Sequence, residues 1–335
     1  MAIVPQSDSR APLVADIIAT LSAAAKMSRA LQQGVERLRV ALKDDRSPVT
    51  VADLAVQGLV AARLASSEVP IVGEERADLL RRAEASALTD AVVDAVSGPG
   101  GLPIARAELL EAIDSACHDG SAERYWTLDP IDGTKGFLRG QHYAIALALI
   151  EGGEVTLGAL CCPNLGVDPN VVDSAGTLYV ALAGAGAWQL PGGDVERAVR
   201  IKARSIASGD ALQVCESVES AHSKHADAAR IVAHVPFVAG EPVRMDSQCK
   251  YALVARGDAH AYLRLPTRAD YREKIWDHAA GLIVAREADA VVTDVHGKAL
   301  DFRHGRTLEQ NRGVICASRG AHQPLVDACQ QLGIG

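Results

Sequence analysis

The chain of 335 residues is poor in aromatic side chains, in basic residues and in long apolar runs. Aromatic residues make up 4% of it, so the core has to be built from Ala, Val, Leu and Ile. Acidic residues outnumber basic ones by 42 to 34, which argues against a general nucleic-acid binder. The longest apolar run, near residues 143–150, is too short for the roughly 20 residues that cross a bilayer. Residues 1–10 also lack the layout of a signal peptide. We therefore expect a cytoplasmic protein whose partners include neither membrane nor nucleic acid.

Cysteines are present but form no pattern that indicates a metal or redox site. The chain has 7 of them, and no two follow a C-x-x-C spacing. Cys161 and Cys162 are adjacent. An odd number of cysteines in a large chain is typical of reduced thiols in a cytoplasm.

The length and the periodicity predict two domains with a boundary near residue 203. At roughly 150 residues per domain, two are expected. Helical spacing predicts helices over 12–39, 51–64, 77–96 and 105–117. Apolar and alternating segments predict strands at 69–72, 143–150, 154–161, 177–183, 187–190 and 198–201. Beyond the boundary, we predict strands at 213–215, 242–245 and 259–265 and helices at 226–235, 248–256 and 276–287. Residues 1–203 would form an α+β domain and residues 204–335 an α/β domain.

The most informative segment is DPIDGTKGF, residues 129–137. The proline fixes the backbone, the glycine permits a turn, and Thr134 opens a predicted helical turn whose free amides can hold a phosphate. Two carboxylates, Asp129 and Asp132, lie beside that turn, and Mg²⁺ prefers such oxygen ligands. Taken alone, the two acids are better explained as a helix cap and a turn residue. The whole string favours a metal and phosphate site.

Three further acids lie at the ends of predicted elements. Glu74 follows a short strand, Asp53 lies in the first turn of a helix, and Asp277 begins another helix. Each has an ordinary explanation as a solvated, dipole-stabilising or capping residue. If these acids met Asp129 and Asp132, each pair of charges 4 Å apart would cost about 4 kcal/mol at an effective dielectric of 20. Such a cluster would need raised pKa values or bound cations.

Together these segments resemble the lithium-sensitive, Mg²⁺-dependent phosphomonoesterases of the inositol monophosphatase superfamily, and within it the 3′(2′),5′-bisphosphate nucleotidases. The resemblance runs from SPVTVAD at residue 47 to GRTL at 305–308. Segments similar to the nucleotide side of that family are ESVESAHSKH (216–225), DSQCKY (246–251) and YLRLP (262–266). The resemblance implies an α/β layered sandwich of two subdomains with the metal site at their junction.

The resemblance also implies roles for individual residues. Two or three Mg²⁺ ions would be held by Glu74, Asp129, the carbonyl of Ile131, Asp132 and Asp277. Asp53 and Thr134 would activate water, and the amides of Gly133 and Thr134 would hold the phosphate to be cleaved. The nucleotide would be bound by His222, Ser247, Lys250, Arg264 and Asp277. Without the resemblance, His222 would be assigned to a solvated helix face, Ser247 to a helix cap, Lys250 to the surface and Arg264 to an outward strand position.

The activity implied by the resemblance is removal of the 3′-phosphate of adenosine 3′,5′-bisphosphate, which gives AMP and phosphate. A metal-activated water would attack without a covalent intermediate, and lithium would inhibit. The 2′ isomer and 3′-phosphoadenylyl sulfate are further candidate substrates, which links the protein to sulfur metabolism. Two alternatives stay open, namely an inositol mono- or bisphosphate phosphatase and a non-catalytic nucleotide sensor. We expect a monomer.

Overall fold

The computed structural model describes residues 3, 10–34, 41–42, 48–49, 51–82, 85–98, 101–166, 172, 175–218, 225–266, 268 and 270–335. The α-helices within these residues are α1 Ala11–Gln33, α2 Val51–Leu64, α3 Ser86–Ser97, α4 Arg106–Ser115, α5 Thr134–Leu138, α6 His225–His234, α7 Cys249–Ala255, α8 Ala279–Glu287 and α9 Arg319–Gln331. Short 3₁₀ turns occur at Ala65–Ser67, Ala77–Arg81, Val195–Arg197 and Ile275–Asp277.

The strands form two larger sheets and two small ribbons. A seven-stranded sheet in the order β3-β4-β5-β6-β7-β8-β9 contains Ile71–Gly73, Arg124–Asp132, Ala144–Glu151, Glu154–Cys162, Thr177–Leu182, Gly186–Pro191 and Val199–Ile201. A five-stranded sheet in the order β13-β11-β14-β16-β15 contains Val243–Arg244, Val214–Glu216, Ala261–Arg264, Val314–Ser318 and Ala290–Thr293. The ribbons pair β1 (Ala41–Leu42) with β2 (Pro48–Val49) and β10 (Ala211–Leu212) with β12 (Val238–Ala239).

Three buried clusters arrange these elements in alternating layers. The first joins α1 to α4 with one face of the large sheet. The second joins the opposite face with α7, α8 and one face of the five-stranded sheet. The third covers the remaining face with α6 and α9. Helices therefore cover both faces of each sheet, and the layered α/β fold predicted from the sequence is confirmed.

The middle strands show how the sequence specifies these layers. In β5, Ile145, Leu147 and Leu149 point into the first cluster, whereas the alternate alanines and Ile150 point into the second. This follows from the two-residue period of a strand. The small side chains on the second face let α8 approach the sheet closely. A Cβ on Gly158 of β6 would lie 2.4 Å from a methyl carbon of Ile283.

Several predicted elements are present, and others differ for identifiable reasons. The strands expected from 143 to 201 and the helix over 51–64 are confirmed. The single helix expected over 77–96 is wrong, because the 3₁₀ turn ends in an extended residue, Arg82, and the Leu80 carbonyl accepts a hydrogen bond from the Thr89 hydroxyl. The strand β4 was not predicted, since it is buried on both faces and lacks alternation. Strands β15 and β16 and helix α9, which contains Pro324, were also not predicted.

The predicted boundary near residue 203 falls just after β9, the last strand of the large sheet. The division into two domains stays a prediction. The helix expected over 12–39 ends at Gln33, and residues 35–40 lie outside the described part of the chain. By length and composition, α1 is apolar enough to cross a membrane, although half of its most apolar window is buried inside the molecule.

Candidate metal and phosphate site

The DPIDGTKGF segment forms the end of β4 and the turn that follows it. The pairing of β4 with β5 shifts register between Asp129 and Asp132, because Pro130 has no N–H to offer the ladder. Gly133 then adopts a φ of 87°, and α5 begins at Thr134. The Thr134 hydroxyl donates to the Ile131 carbonyl over 3.1 Å. The predicted turn after the two aspartates is therefore confirmed.

Neighbouring elements bring Glu74 and Asp53 to the same end of β4. Strand β3 runs parallel to β4 with Gly73 opposite Leu128, and the Glu74 amide donates to the Leu128 carbonyl over 3.2 Å. Glu74 therefore emerges beside Asp129. Asp53 lies in the first turn of α2, is 2% exposed, and belongs to a helix that packs against β4.

Asp277 reaches the cluster from the C-terminal half of the chain. It lies in the 3₁₀ turn before α8, and this turn packs against β4. The side-chain amide of Gln248 donates to the Trp276 carbonyl over 2.9 Å, and the Gln248 backbone amide donates to Asp132 over 2.5 Å. Gln248 thus connects the segments that carry Asp132 and Asp277.

The acids are close enough to change each other's ionisation. Burial raises the pKa of Asp129 well above its usual value, and the charges of Glu74, Asp132, Asp277 and Asp53 raise it further. Burial also raises the pKa of Asp277 to about 6, with Asp132 adding to the effect.

The carboxyl group of Asp129 supplies the sharpest indication of a ligand. Asp129 is 3% exposed, and its Oδ1 is fully buried with no hydrogen-bond partner among the described residues. A buried, unpartnered carboxylate oxygen among other acids is costly unless a cation binds it. The oxygen-only donor set fits a hard divalent cation such as Mg²⁺.

Lys250 lies next to the acids rather than at the surface. It is 2% exposed and donates to the Met245 carbonyl over 2.9 Å. Burial lowers the pKa of its ammonium group, although the charge of Asp132 opposes that change. Burial raises the pKa of Asp132, whereas Lys250, the Gln248 amide and Arg264 lower it. Of the two aspartates on β4, Asp132 is therefore the better compensated.

Arg264 lies close to the site but is held by another residue. Its Nε and Nη2 contact the two carboxylate oxygens of Glu273 at 3.2 and 3.1 Å. Glu273 also pairs with His278 Nε2 at 3.2 Å, and His278 Nδ1 lies 2.8 Å from the Tyr251 hydroxyl. Burial opposes ionisation of Glu273, but Arg264 and His278 outweigh it and hold the pKa of that carboxyl at about 2.

Glu273, Asp277 and His278 are also near enough to one another to hold a metal ion. The oxygens of Glu273 are already engaged by Arg264 and His278, so we interpret this group as an ion-pair network behind Asp277.

The other predicted substrate residues are only partly brought together. Ser247 has a φ of 68° and packs against Gly133, where an added Cβ would lie 3.0 Å from the Ser247 Cβ. Its hydroxyl accepts from the Cys249 amide over 3.2 Å, and the residue at the N-cap of α7 is Gln248 rather than Ser247. His222 lies outside the described residues.

Four residues of this region were not singled out from the sequence: Gln57, Gln248, Glu273 and Arg306. All contact the segments that carry the acids. Gln57 is one helical turn after Asp53, a spacing that places both on one face of α2 and could have indicated it. The others act through contacts between distant segments, for which the sequence carries no local signal.

A family model described as the inositol monophosphatase family matches residues 14–333. The chain belongs to the inositol monophosphatase family. This membership confirms the resemblance inferred from the motifs. A 3′(2′),5′-bisphosphate nucleotidase of Emericella nidulans is 41% identical to it over 321 residues, which cover 87% of this chain and 90% of the relative. A protein of the same name from Oryza sativa is 40% identical over an alignment of 341 positions, which covers 95% of this chain and 94% of the relative.

A solved structure agrees with this fold. The extragenic suppressor protein suhB from Bartonella henselae superposes with a TM-score of 0.62 at 20% identity and covers 95% of this chain and 99% of its own. At that level of identity the comparison shows the shared fold alone.

Proposed function

We propose that the protein is a divalent-cation-dependent phosphomonoesterase that removes the 3′-phosphate of adenosine 3′,5′-bisphosphate. The observation that carries the proposal is the buried, unpartnered Oδ1 of Asp129 among four further acids. The substrate is suggested by relatives that are 40% and 41% identical over nearly the whole chain and are named 3′(2′),5′-bisphosphate nucleotidases.

The metal would be held by Glu74, Asp129, Asp132, Asp277 and the Ile131 carbonyl, whose oxygen has a lone pair left beyond the hydrogen bond from Thr134. When bound, Mg²⁺ would polarise the phosphoryl oxygens and lower the pKa of water.

The residues of the chain would position the reactants. Asp53, buried in the first turn of α2, would accept a proton from the attacking water. The Thr134 hydroxyl would orient that water, and the amides of Gly133 and Thr134 would donate to the phosphate. The water would attack the phosphorus opposite the ribose 3′ oxygen. The bond from phosphorus to that oxygen would break, and the oxygen would take up a proton from solvent. The reaction has no covalent enzyme intermediate.

The nucleotide would lie near Ser247, Lys250 and Arg264, three residues that follow Gly133 in the chain and belong to its C-terminal part. Because Glu273 occupies two donors of Arg264, only the remaining donors of its guanidinium would reach the retained phosphate. His222 completes the proposed set.

Phosphate release from adenosine 3′,5′-bisphosphate, measured with and without Mg²⁺, tests the proposal. The 2′ isomer, 3′-phosphoadenylyl sulfate and inositol 1,4-bisphosphate should be assayed in parallel. The highest kcat/KM on a nucleotide supports the proposal. The highest kcat/KM on an inositol phosphate would instead favour the inositol phosphatase alternative, and nucleotide binding without turnover would favour a sensor.

Three further properties belong to this proposal. The enzyme would be inhibited by Li⁺, would act in the cytoplasm and would be a monomer. Titration of Li⁺ against the Mg²⁺-dependent rate and the mass of the protein in solution test the first and the third.

A further inference from the structure

We propose that Gln57 and Arg306 are positioning residues that hold residues 73–75, here called the Glu74 segment, in the geometry that binds the divalent cation. The inference rests on the proposed function, since it takes Glu74 to be a metal ligand. Both side chains contact the backbone of this segment, and each comes from a different part of the chain.

Gln57 fixes the residue after Glu74. It is fully buried in α2. Its Nε2 donates to the Glu75 carbonyl over 2.7 Å, and its Oε1 accepts from the Glu75 amide over 2.9 Å. Both backbone polar groups of Glu75 are therefore paired with one side chain. Because Gln57 follows Asp53 by one helical turn, it ties the Glu74 segment to the proposed base.

Arg306 fixes the residue before Glu74. Its Nη2 donates to the Gly73 carbonyl over 2.7 Å, and its Nη1 donates to the His118 carbonyl over 3.1 Å. The guanidinium carbon lies 4.6 Å from the centre of the Trp276 ring, and the Arg306 carbonyl accepts from the Ile275 amide. Arg306 thus joins the Glu74 segment to the turn that carries Asp277.

The position of Glu74 makes these two restraints important. Strand β3 has only three residues, pairs with β4 on one side, and on its other side is held by a single bridge between Val72 and Cys117. Glu74 follows its last residue and faces other acids that repel it. Gly73 also allows the approach of Gln57, because an added Cβ would lie 2.6 Å from the Gln57 Oε1. Groups that orient metal ligands typically change metal affinity by about 10- to 100-fold when they are replaced.

The test compares Arg306→Lys and Gln57→Met with matched controls. Arg286→Lys alters an arginine that likewise donates to a backbone carbonyl, that of Val155 at 2.8 Å, but lies away from the acids. Thr89→Val removes a buried hydroxyl on α3 that donates to the carbonyls of Leu80 and Ala85, both of which precede that helix. Glu74→Gln serves as the reference for loss of the ligand.

Mg²⁺ binding to the full chain without substrate is measured by calorimetry, together with the Mg²⁺ concentration for half-maximal activity. Arg306→Lys and Gln57→Met should weaken Mg²⁺ binding by about 10- to 100-fold. They should leave kcat and the KM for nucleotide close to wild type once Mg²⁺ is saturating. The two controls should bind Mg²⁺ like the wild type.

The outcomes separate the inference from the proposed function. If the wild type binds no Mg²⁺, or Glu74→Gln binds it as tightly, the proposed metal set is wrong. If those two proteins behave as expected but Arg306→Lys binds Mg²⁺ like its control, the positioning role is wrong and the proposed function stands. The positioning role is also wrong if Arg306→Lys leaves Mg²⁺ affinity unchanged and raises only the KM for nucleotide. Should Gln57→Met fail to fold, Arg306→Lys decides alone.

Discussion

Asp129 and Asp132 lie on the same strand, but neighbouring groups compensate the charge of Asp132 better than that of Asp129. Asp132 receives the Gln248 amide and lies near the ammonium group of Lys250. Asp129 faces four acids and has one oxygen that no described residue contacts by a hydrogen bond. The fold therefore compensates one carboxylate itself and leaves the other to a bound cation.

We expect Asp129→Asn to reduce kcat by about 100-fold or more, the effect of removing one group that stabilises charge in the transition state. The same change should raise the free energy of unfolding in EDTA by about 1–2 kcal/mol, because it removes an uncompensated charge. Urea titration and phosphate release measure both effects. Asp132→Asn is the control, since it should lose most activity without gaining stability. A less stable Asp129→Asn protein would contradict this account.

Glu273 illustrates the opposite case of a buried acid that is fully paired. Its replacement in Glu273→Gln leaves the Arg264 charge buried with a neutral partner. We expect a loss of about 3 kcal/mol in the free energy of unfolding, typical of removing one member of a buried pair. Chemical denaturation measures it. The exposed pair Arg106–Asp90 supplies the control, because Arg106→Gln should change stability by less than about 1 kcal/mol.

At the scale of elements, the site depends on how closely α8 packs. Gly281 in α8 faces Tyr251 of α7, and an added Cβ would lie 2.2 Å from that ring. Gly281, which follows Asp277 by four residues, therefore permits the close approach of α8 to α7. This packing sets the distance between the Asp277 turn and β4.

We expect Gly281→Ala to destabilise the protein by about 1–3 kcal/mol, the usual cost of overpacking a core. It should also weaken Mg²⁺ binding, because displacement of α8 would move Asp277 in the turn that precedes it. Gly184→Ala is a partial control, since nothing lies within 4 Å of its added Cβ although its φ of 77° adds strain. Unfolding and Mg²⁺ titrations measure the two effects. Unchanged Mg²⁺ affinity in a destabilised Gly281→Ala protein would disprove the link.

The sequence predicts the local features of the site better than it predicts how distant segments come together to form it. Asp129, Asp132 and the turn at Gly133 follow from one continuous string with proline and glycine at fixed places. The approach of Glu74 depends on the register of β3 against β4, and that of Asp277 depends on packing between layers. Only the family resemblance brought these residues together in advance. The burial of Lys250 was missed for the same reason, because the charge of Asp132 that acts on it belongs to a distant strand.

At the scale of the whole molecule, the cluster links stability to pH. An aspartate in the unfolded chain has a pKa of about 3.9, and burial raises that of Asp277 to about 6 in the folded protein. Between these values the metal-free folded state binds more protons than the unfolded state. Its stability therefore falls as pH rises through about 6.

We expect the melting temperature in EDTA to fall between pH 4 and pH 6, the range over which Asp277 is already ionised in the unfolded chain but still protonated in the folded protein. Excess Mg²⁺ should reverse that decline, since ligands that bind the folded state stabilise it. Thermal melts over this pH range, in EDTA and in Mg²⁺, measure the melting temperature. The melting temperature of Asp277→Asn should depend less on pH than that of the wild type. A melting temperature that rises with pH in EDTA would contradict the expected sign.

All seven cysteines are free, and six of them are buried. Cys117 is half-buried and its Sγ lies 3.5 Å from the Glu75 carbonyl, beside the proposed cation site. Burial raises the pKa of its thiol. The rate at which a small alkylating reagent modifies the Cys117 sulfur therefore measures how often the neighbouring backbone opens. Mass spectrometry detects this modification without any introduced label.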